Sequence, residues 1–398
     1  MHKKKKFNDY ICKVGVISLF LTLAGCSDNK DDNTNNNDNS NDNTSSLTIK
    51  DESFGTTPSG EKITKYTLRN SKGIEVEIIN YGGMITSLKV PDREGVFEDV
   101  VLGFDDLQGY IDNTSYIGAL IGRYGNRIAK GQFSLNDVDY QLEINNGVNH
   151  LHGGLKGFNK QVWKSESFTE NDEVGVKLTL VSPDGAGGYP GTLSTTAIYT
   201  LDDDDQLSLK FEAETDKATP VNLTGHSYFN LAVNGTITNH KLKINAQNYT
   251  PVDATLIPTG EIAEVKGTPF DFRETKEIGL NINDKNQQLV YGLGYDHNFV
   301  LDDYKAGTVR TIATLSDPHS GRIMEILSDQ PGLQFYSGNF LDGTTIGKDS
   351  TQYQYREGLC LEPQFFPDSP NKANFPSTIL EPGTTYSNQI VYRFSVME

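Results

Sequence analysis

The chain has 398 residues, of which 36% are hydrophobic and 22% charged, enough apolar material to bury a sizeable core. Its formal charge of −18 opposes nucleic acid as a partner, since phosphates are bound by clustered Lys and Arg that displace counterions. No apolar run reaches the length of a spanning helix, and the three cysteines, two of them within the first 26 residues, exclude a disulfide scaffold.

The N-terminus has the pattern of an export signal. Lys3 to Lys6 form a positive n-region and Val14 to Leu23 an apolar h-region. Leu23-Ala24-Gly25-Cys26 has the form of a lipobox, in which the cysteine thiol takes a diacylglycerol and cleavage makes it the new N-terminus. Residues 1–26 are therefore expected to be a lipoprotein signal peptide. Acyl chains on Cys26 would then hold an exported bacterial lipoprotein on its membrane, periplasmic or at the outer-membrane surface. Residues 27–46 are almost wholly Asn, Asp, Ser and Thr. They have no apolar side chain to offset the entropy of ordering, so a disordered tether is expected. Five Lys against one Asp in the leader, and one Lys against five Asp in the tether, cancel, so the acidity belongs to residues 47–398.

From Leu47 onward, alternating or β-branched apolar stretches recur between turn signals. In chain order, Glu75–Asn80, Val176–Val181, Thr195–Thr200, Leu207–Glu212, Lys241–Asn245, Arg322–Leu327 and Gln389–Ser395 are predicted strands. The acidic Asp202 to Asp205 is read as a hairpin turn, as is Ser316 to Gly321. No window carries a sustained helical stripe, no internal repeat is visible, and 38 glycines suit a turn-dense chain. The expected fold is all-β, a single large antiparallel β-sandwich over 47–398.

Six segments interrupt the alternation with dense polar or glycine chemistry: Gly122–Ile128, Asn149–Gly154, Asn222–Asn230, Tyr295–Asn298, Gly332–Asn339 and Leu361–Asp368. Aromatic faces among Asn, Gln, Arg, His and carboxylates suit a sugar, which presents C–H faces and a ring of hydroxyls. Other chemistries fit less well. His150 and His152 would share one side of a strand and could pair on a metal, but no Cys or Glu stands nearby at zinc-like spacing, so no metal is expected. No glycine loop ahead of a helix offers a phosphate cradle. Ser227 lacks the elbow of a hydrolase nucleophile. Cys360 is read as a small buried hydrophobe.

Taken in order, these segments resemble the aldose 1-epimerase (galactose mutarotase) family over nearly all of 47–398, and Ser182–Gly191 and Pro258–Ile262 extend the likeness. The resemblance implies a large β-sandwich. It also implies Glu362, in Cys-Leu-Glu-Pro-Gln, as catalytic base and His226, in Gly-His-Ser-Tyr, as catalytic acid. Sugar-contacting positions carried across are Asn126, Arg127, His152, Ser227, Tyr228, Asp296 and Gln334. Ala186 and Pro363 depart from the family pattern without touching the acid–base pair.

The implied reaction interconverts the α and β anomers of a free aldohexose. One group removes the proton of the C1 hydroxyl while another protonates the ring oxygen, which needs no metal or redox cofactor. Glu362 is expected in an apolar wall of Cys360, Leu361, Pro363 and Phe365 that raises its pKa. His226 is expected to be protonated when sugar arrives, favoured by carboxylates such as Asp296. A glycoside hydrolase pairing Glu362 with Asp296 and a non-catalytic sugar-binding lipoprotein are the competing readings. A phosphosugar epimerase would want several Lys or Arg around the far end of its substrate, which the net charge of −18 and an exported address disfavour. No macromolecular partner is implied, and a monomer is expected.

Overall fold

The strands follow from the alternation. In Leu193–Asp202 every second residue, from Leu193 through Ala197 and Tyr199 to Leu201, is buried. In its neighbour Gln206–Thr215 the buried set is Leu207, Leu209, Phe211 and Ala213. A period of two places each set on one face, so the two strands pair with that face inward. Asp202 closes the hairpin between them. Its Oδ1 accepts the backbone N–H of Asp204 at 3.0 Å and of Gln206 at 2.9 Å, so this acidic run is turn chemistry, as read from the sequence.

The computed structural model describes residues 46–397. The expected signal peptide, Cys26 and all but the last residue of the expected tether lie outside the described residues. Three sheets account for most of the strands, all paired antiparallel. The first is a five-stranded meander from Thr48–Thr56 to Phe97–Asp99. The second has nine strands. Lys164–Glu170, Glu173–Ser182, Leu193–Asp202 and Gln206–Thr215 follow one another, then Tyr386–Val396 joins the C-terminal end of the chain to Arg322–Ser328 and Arg310–Ser316. The third contains the adjacent strands Asp296–Val300, Gly332–Tyr336 and Cys360–Gln364.

One continuous apolar core draws on all three, with Leu68, Val76 and Leu88 from the first, Val176, Leu209 and Ile326 from the second, and Phe299, Leu333 and Phe335 from the third. The architecture is an all-β sandwich, as expected. The described residues contain two α-helices, Leu107–Asp112 and Gln287–Gly292, each six residues long and each started by an N-cap side chain, Asp106 and Asn286. Neither is long enough to show in the sequence as a helical stripe.

Candidate active site

The third sheet builds the floor of the site. Its registers place Asp296 opposite Tyr336, Gln334 opposite Glu362, and Tyr336 opposite Cys360. Because side chains alternate, these five share one face, while Phe299, Leu333, Phe335 and Leu361 turn to the core. The expected wall around Glu362 is corrected by the same rule: Leu361 and Pro363 face away from it. Glu362 is buried instead by the loops and rings that close over the polar face.

His226 ends the short strand Thr224–His226, which pairs with Ala119–Ile121. Asn222 ties this segment to the strand of Glu362. Its Nδ2 donates to the carbonyls of Gly125 (3.1 Å) and Phe365 (3.3 Å), and its Oδ1 accepts from the Phe365 N–H at 2.9 Å. Thr224 Oγ1 adds a bond to the Pro363 carbonyl at 2.8 Å. Arg127 is held on a two-residue strand against His150–Leu151. Asn126 and His152 flank it in the left-handed region, with φ of 64° and 51°, a conformation Asn and His adopt more readily than most residues.

His226 Nε2 lies 3.8 Å from Glu362 Oε2. That oxygen is buried without a hydrogen-bond partner among the described residues. On its other side the imidazole meets Cys360, with Nδ1 at 3.5 Å from Sγ. Asp296 Oδ1 accepts from Gln334 Nε2 at 2.7 Å, and Arg127 Nη1 stands 3.9 Å from Asp296 Oδ2. Arg127 is steadied by its Nε donating to Asn146 Oδ1 at 3.1 Å.

Glu362, His226, Asn126, Arg127, His152, Tyr228 and Asp296 all line one cavity of about 680 Å³. Two expected contacts do not. Ser227 is buried but points away, since residues on either side of it, His226 and Tyr228, occupy the cavity face. Gln334 sits behind Asp296 and reaches the cavity only through it.

His152, His226 and Glu362 present ligand atoms within 4.8 Å of one another, the spacing of a metal site. The tautomer of His152 argues against one. Its Nδ1 accepts the backbone N–H of Asn126 at 3.1 Å, so the ring proton sits on Nε2 and leaves no lone pair there for a metal. His150 is committed on both nitrogens, donating from Nδ1 to the Glu143 carbonyl at 2.7 Å and accepting from the Tyr189 hydroxyl at 2.6 Å. The two histidines do not share a strand face, because the strand ends at Leu151.

A family model described as aldose 1-epimerase matches residues 64–393. The chain belongs to the aldose 1-epimerase family. It is 46% identical to a galactose mutarotase of Bos taurus over 346 residues, 86% of this chain and 97% of that protein. It is 38% identical to an aldose 1-epimerase of Escherichia coli over 347 residues, 86% of this chain and 98% of that one. A crystal structure of galactose 1-epimerase from Lactobacillus acidophilus superposes with a TM-score of 0.79 at 29% identity, covering 89% of this chain and all of the other.

In this member of the aldose 1-epimerase family, burial dominates the electrostatics of the pair. It lifts Glu362 well above the ordinary carboxylate range, with Asp296 adding to the rise and Arg127 opposing it. It pushes His226 down to about 4, opposite to the protonated state expected from the sequence. Asp296 cannot reverse this, because burial raises its own pKa against the pull of Arg127 and Gln334. Burial thus favours the neutral form of each member, so a proton shared by the pair is drawn toward Glu362 rather than His226.

Several cavity residues of this epimerase-family site were not singled out from the sequence. Tyr116 packs against His152 and His226; Leu256 and Tyr291 come from loops and a short helix; Phe340 stacks on Tyr336 at the rim. Of these, Tyr336 lay within a segment already marked by its polar neighbours. The others sit in unremarkable sequence, and only Asn145-Asn146-Gly147, a turn signal, hinted at the Asn146 contact.

Proposed function

We propose that the protein is an aldose 1-epimerase that interconverts the anomers of a free aldohexose by opening and reclosing the ring, with Glu362 and His226 as the acid–base pair. The observation that carries this is the 3.8 Å approach of His226 Nε2 to an unpaired Glu362 Oε2 at the floor of a cavity with ample room for a hexose. The C1 hydroxyl and the ring oxygen are bonded to one carbon, so two groups this close can each reach one of them within about 2.6–3.2 Å.

With sugar bound and the shared proton on His226, Glu362 takes the proton of the C1 hydroxyl. The electrons of that O–H bond form the C1 carbonyl, the bond from C1 to the ring oxygen breaks, and the ring oxygen takes the proton of His226 Nε2. The pair is then neutral, the arrangement that the dry site favours. Rotation about C1–C2 presents the other carbonyl face, Glu362 returns its proton to the carbonyl oxygen, and His226 recovers the proton of the C5 hydroxyl as the ring closes. The pair ends with the single proton it began with. Arg127, His152 and Asn126 supply hydrogen bonds to sugar hydroxyls, and Asp296, oriented by Gln334, accepts from them. Asp296 is already engaged by Gln334 and faces Arg127, which disfavours its use as the second carboxylate of a hydrolase.

The same reading places the domain on a membrane. Lys3 to Lys6, the apolar Val14 to Leu23 and the Leu23–Cys26 box support export and lipidation at Cys26, with residues 27–46 as a tether and the catalytic domain acting as a monomer. Metabolic labelling with palmitate tests this: labelling of wild type that is lost in Cys26→Ser is expected, and equal labelling of both excludes the anchor. Polarimetry of fresh α-glucose and α-galactose tests the activity. Mutarotation no faster than the buffer rate with either sugar, or with other aldoses, rules it out.

A further inference from the structure

Tyr116 has φ of 59° and is, among the described residues, the one phenyl or indole side chain held in the left-handed region. Such a backbone is strained for a bulky residue, and strain of this kind persists where the surroundings over-determine it. They do so here. Asn113 Oδ1 accepts the N–H of Ser115 at 2.9 Å, and its Nδ2 donates to the Ile117 carbonyl at 3.2 Å. Lys160 Nζ clamps the start of the loop through the carbonyls of Ile111 (2.6 Å) and Asn113 (2.8 Å). Tyr228, itself a cavity residue, donates its hydroxyl to the Ser115 carbonyl at 2.9 Å.

The ring so placed touches both imidazoles. Its centroid lies 4.7 Å from that of His152 at 61° and 5.9 Å from that of His226 at 37°, while the two imidazoles meet edge to face at 5.1 Å. We propose that Tyr116 is a positioning residue: its ring, held by a strained loop, keeps water from His152 and His226 and fixes the angle between them. This rests on the acid–base reading of His226 given above, and names what keeps that pair dry.

The remaining groups facing His226 are Glu362 and Cys360 from one strand, Tyr228 from its own segment and His152 from the opposite loop. Arg127 and His150 also act on His152. With these groups in place, a change in either imidazole on removal of the Tyr116 ring reports the loss of shielding.

The test compares wild type, Tyr116→Phe and Tyr116→Gly, reading the titration midpoints of His226 and His152 by histidine NMR alongside polarimetric turnover. Glycine adopts the positive φ without strain, so the second variant removes the ring and leaves the loop its conformation. In wild type His226 is expected to titrate at about 4. In Tyr116→Gly both midpoints are expected to move up by about one unit as water enters, and turnover to fall about tenfold or more. Tyr116→Phe is expected to keep both midpoints, since the ring remains. A folded Tyr116→Gly with unchanged midpoints overturns the proposal whatever its turnover, and so does a large loss in Tyr116→Phe, which would assign the role to the hydroxyl. Should the glycine variant fail to fold, Tyr116→Asn, which also tolerates this φ, is read by the same criteria. A wild type that turns over no aldose would refute the epimerase activity, while the NMR midpoints would still decide the shielding role.

Discussion

Glu362→Gln separates chemistry from binding and stability in one variant. The substitution exchanges one oxygen for an amide nitrogen with almost no change in shape, so the cavity and the hydroxyl contacts of Arg127, His152 and Asp296 persist. A positioned general base contributes about 10²–10⁴-fold. The catalysed rate is therefore expected to fall about 100-fold or more, about 2.7 kcal/mol on the barrier, with KM changed less than about threefold. Stability should move the other way. The folded protein holds Glu362 protonated well above the 4.5 at which the unfolded chain releases that proton. From pH 4.5 upward the wild type therefore pays an increasing cost that glutamine does not. The Tm of the variant should match wild type near pH 4.5 and exceed it increasingly as pH rises above that. Polarimetry corrected for spontaneous mutarotation, with calorimetry across that pH range, reads both. Turnover within tenfold of wild type, or a Tm difference that shrinks as pH rises, would contradict the placement of a buried neutral carboxyl at the reacting bond.

His226→Asn should also abolish catalysis by about 100-fold or more. Because His226 titrates at about 4 folded and 6.5 unfolded, wild type loses stability as pH falls from 6.5 to 4, and the variant should lose less over that window in calorimetric melts. Gln334→Leu removes the 2.7 Å donor to Asp296; KM for hexose is expected to rise about tenfold, with kcat nearly unchanged, in progress curves at several sugar concentrations. Asn222→Ala cuts two bonds that tie the His226 segment to Phe365 beside the Glu362 strand and a third to the Gly125 carbonyl. It should destabilise by about 1–3 kcal/mol in urea titrations and lower kcat.

The alternation of Leu193–Asp202 and Gln206–Thr215 determines strands, pairing face and turn by itself, because a period of two has only one way to bury its apolar set. The polar segments around Asn126, His152, His226, Asp296 and Glu362 were equally legible, since hydrogen-bonding side chains break that pattern where a ligand must be held. What surrounds them was not. Leu361 and Pro363 are sequence neighbours of Glu362 yet face the other way, and Ser227 is adjacent to His226 yet leaves the cavity, because neighbours along a strand lie on opposite faces. The lowered pKa of His226 was not legible for a related reason. It follows from burial against residues as distant in sequence as Cys360, and only the folded chain sets how dry the site is. The sequence determined which groups can do the chemistry; the tertiary structure decided which of them meet, and in which charge state, because burial and approach depend on distances in space that spacing along the chain does not carry.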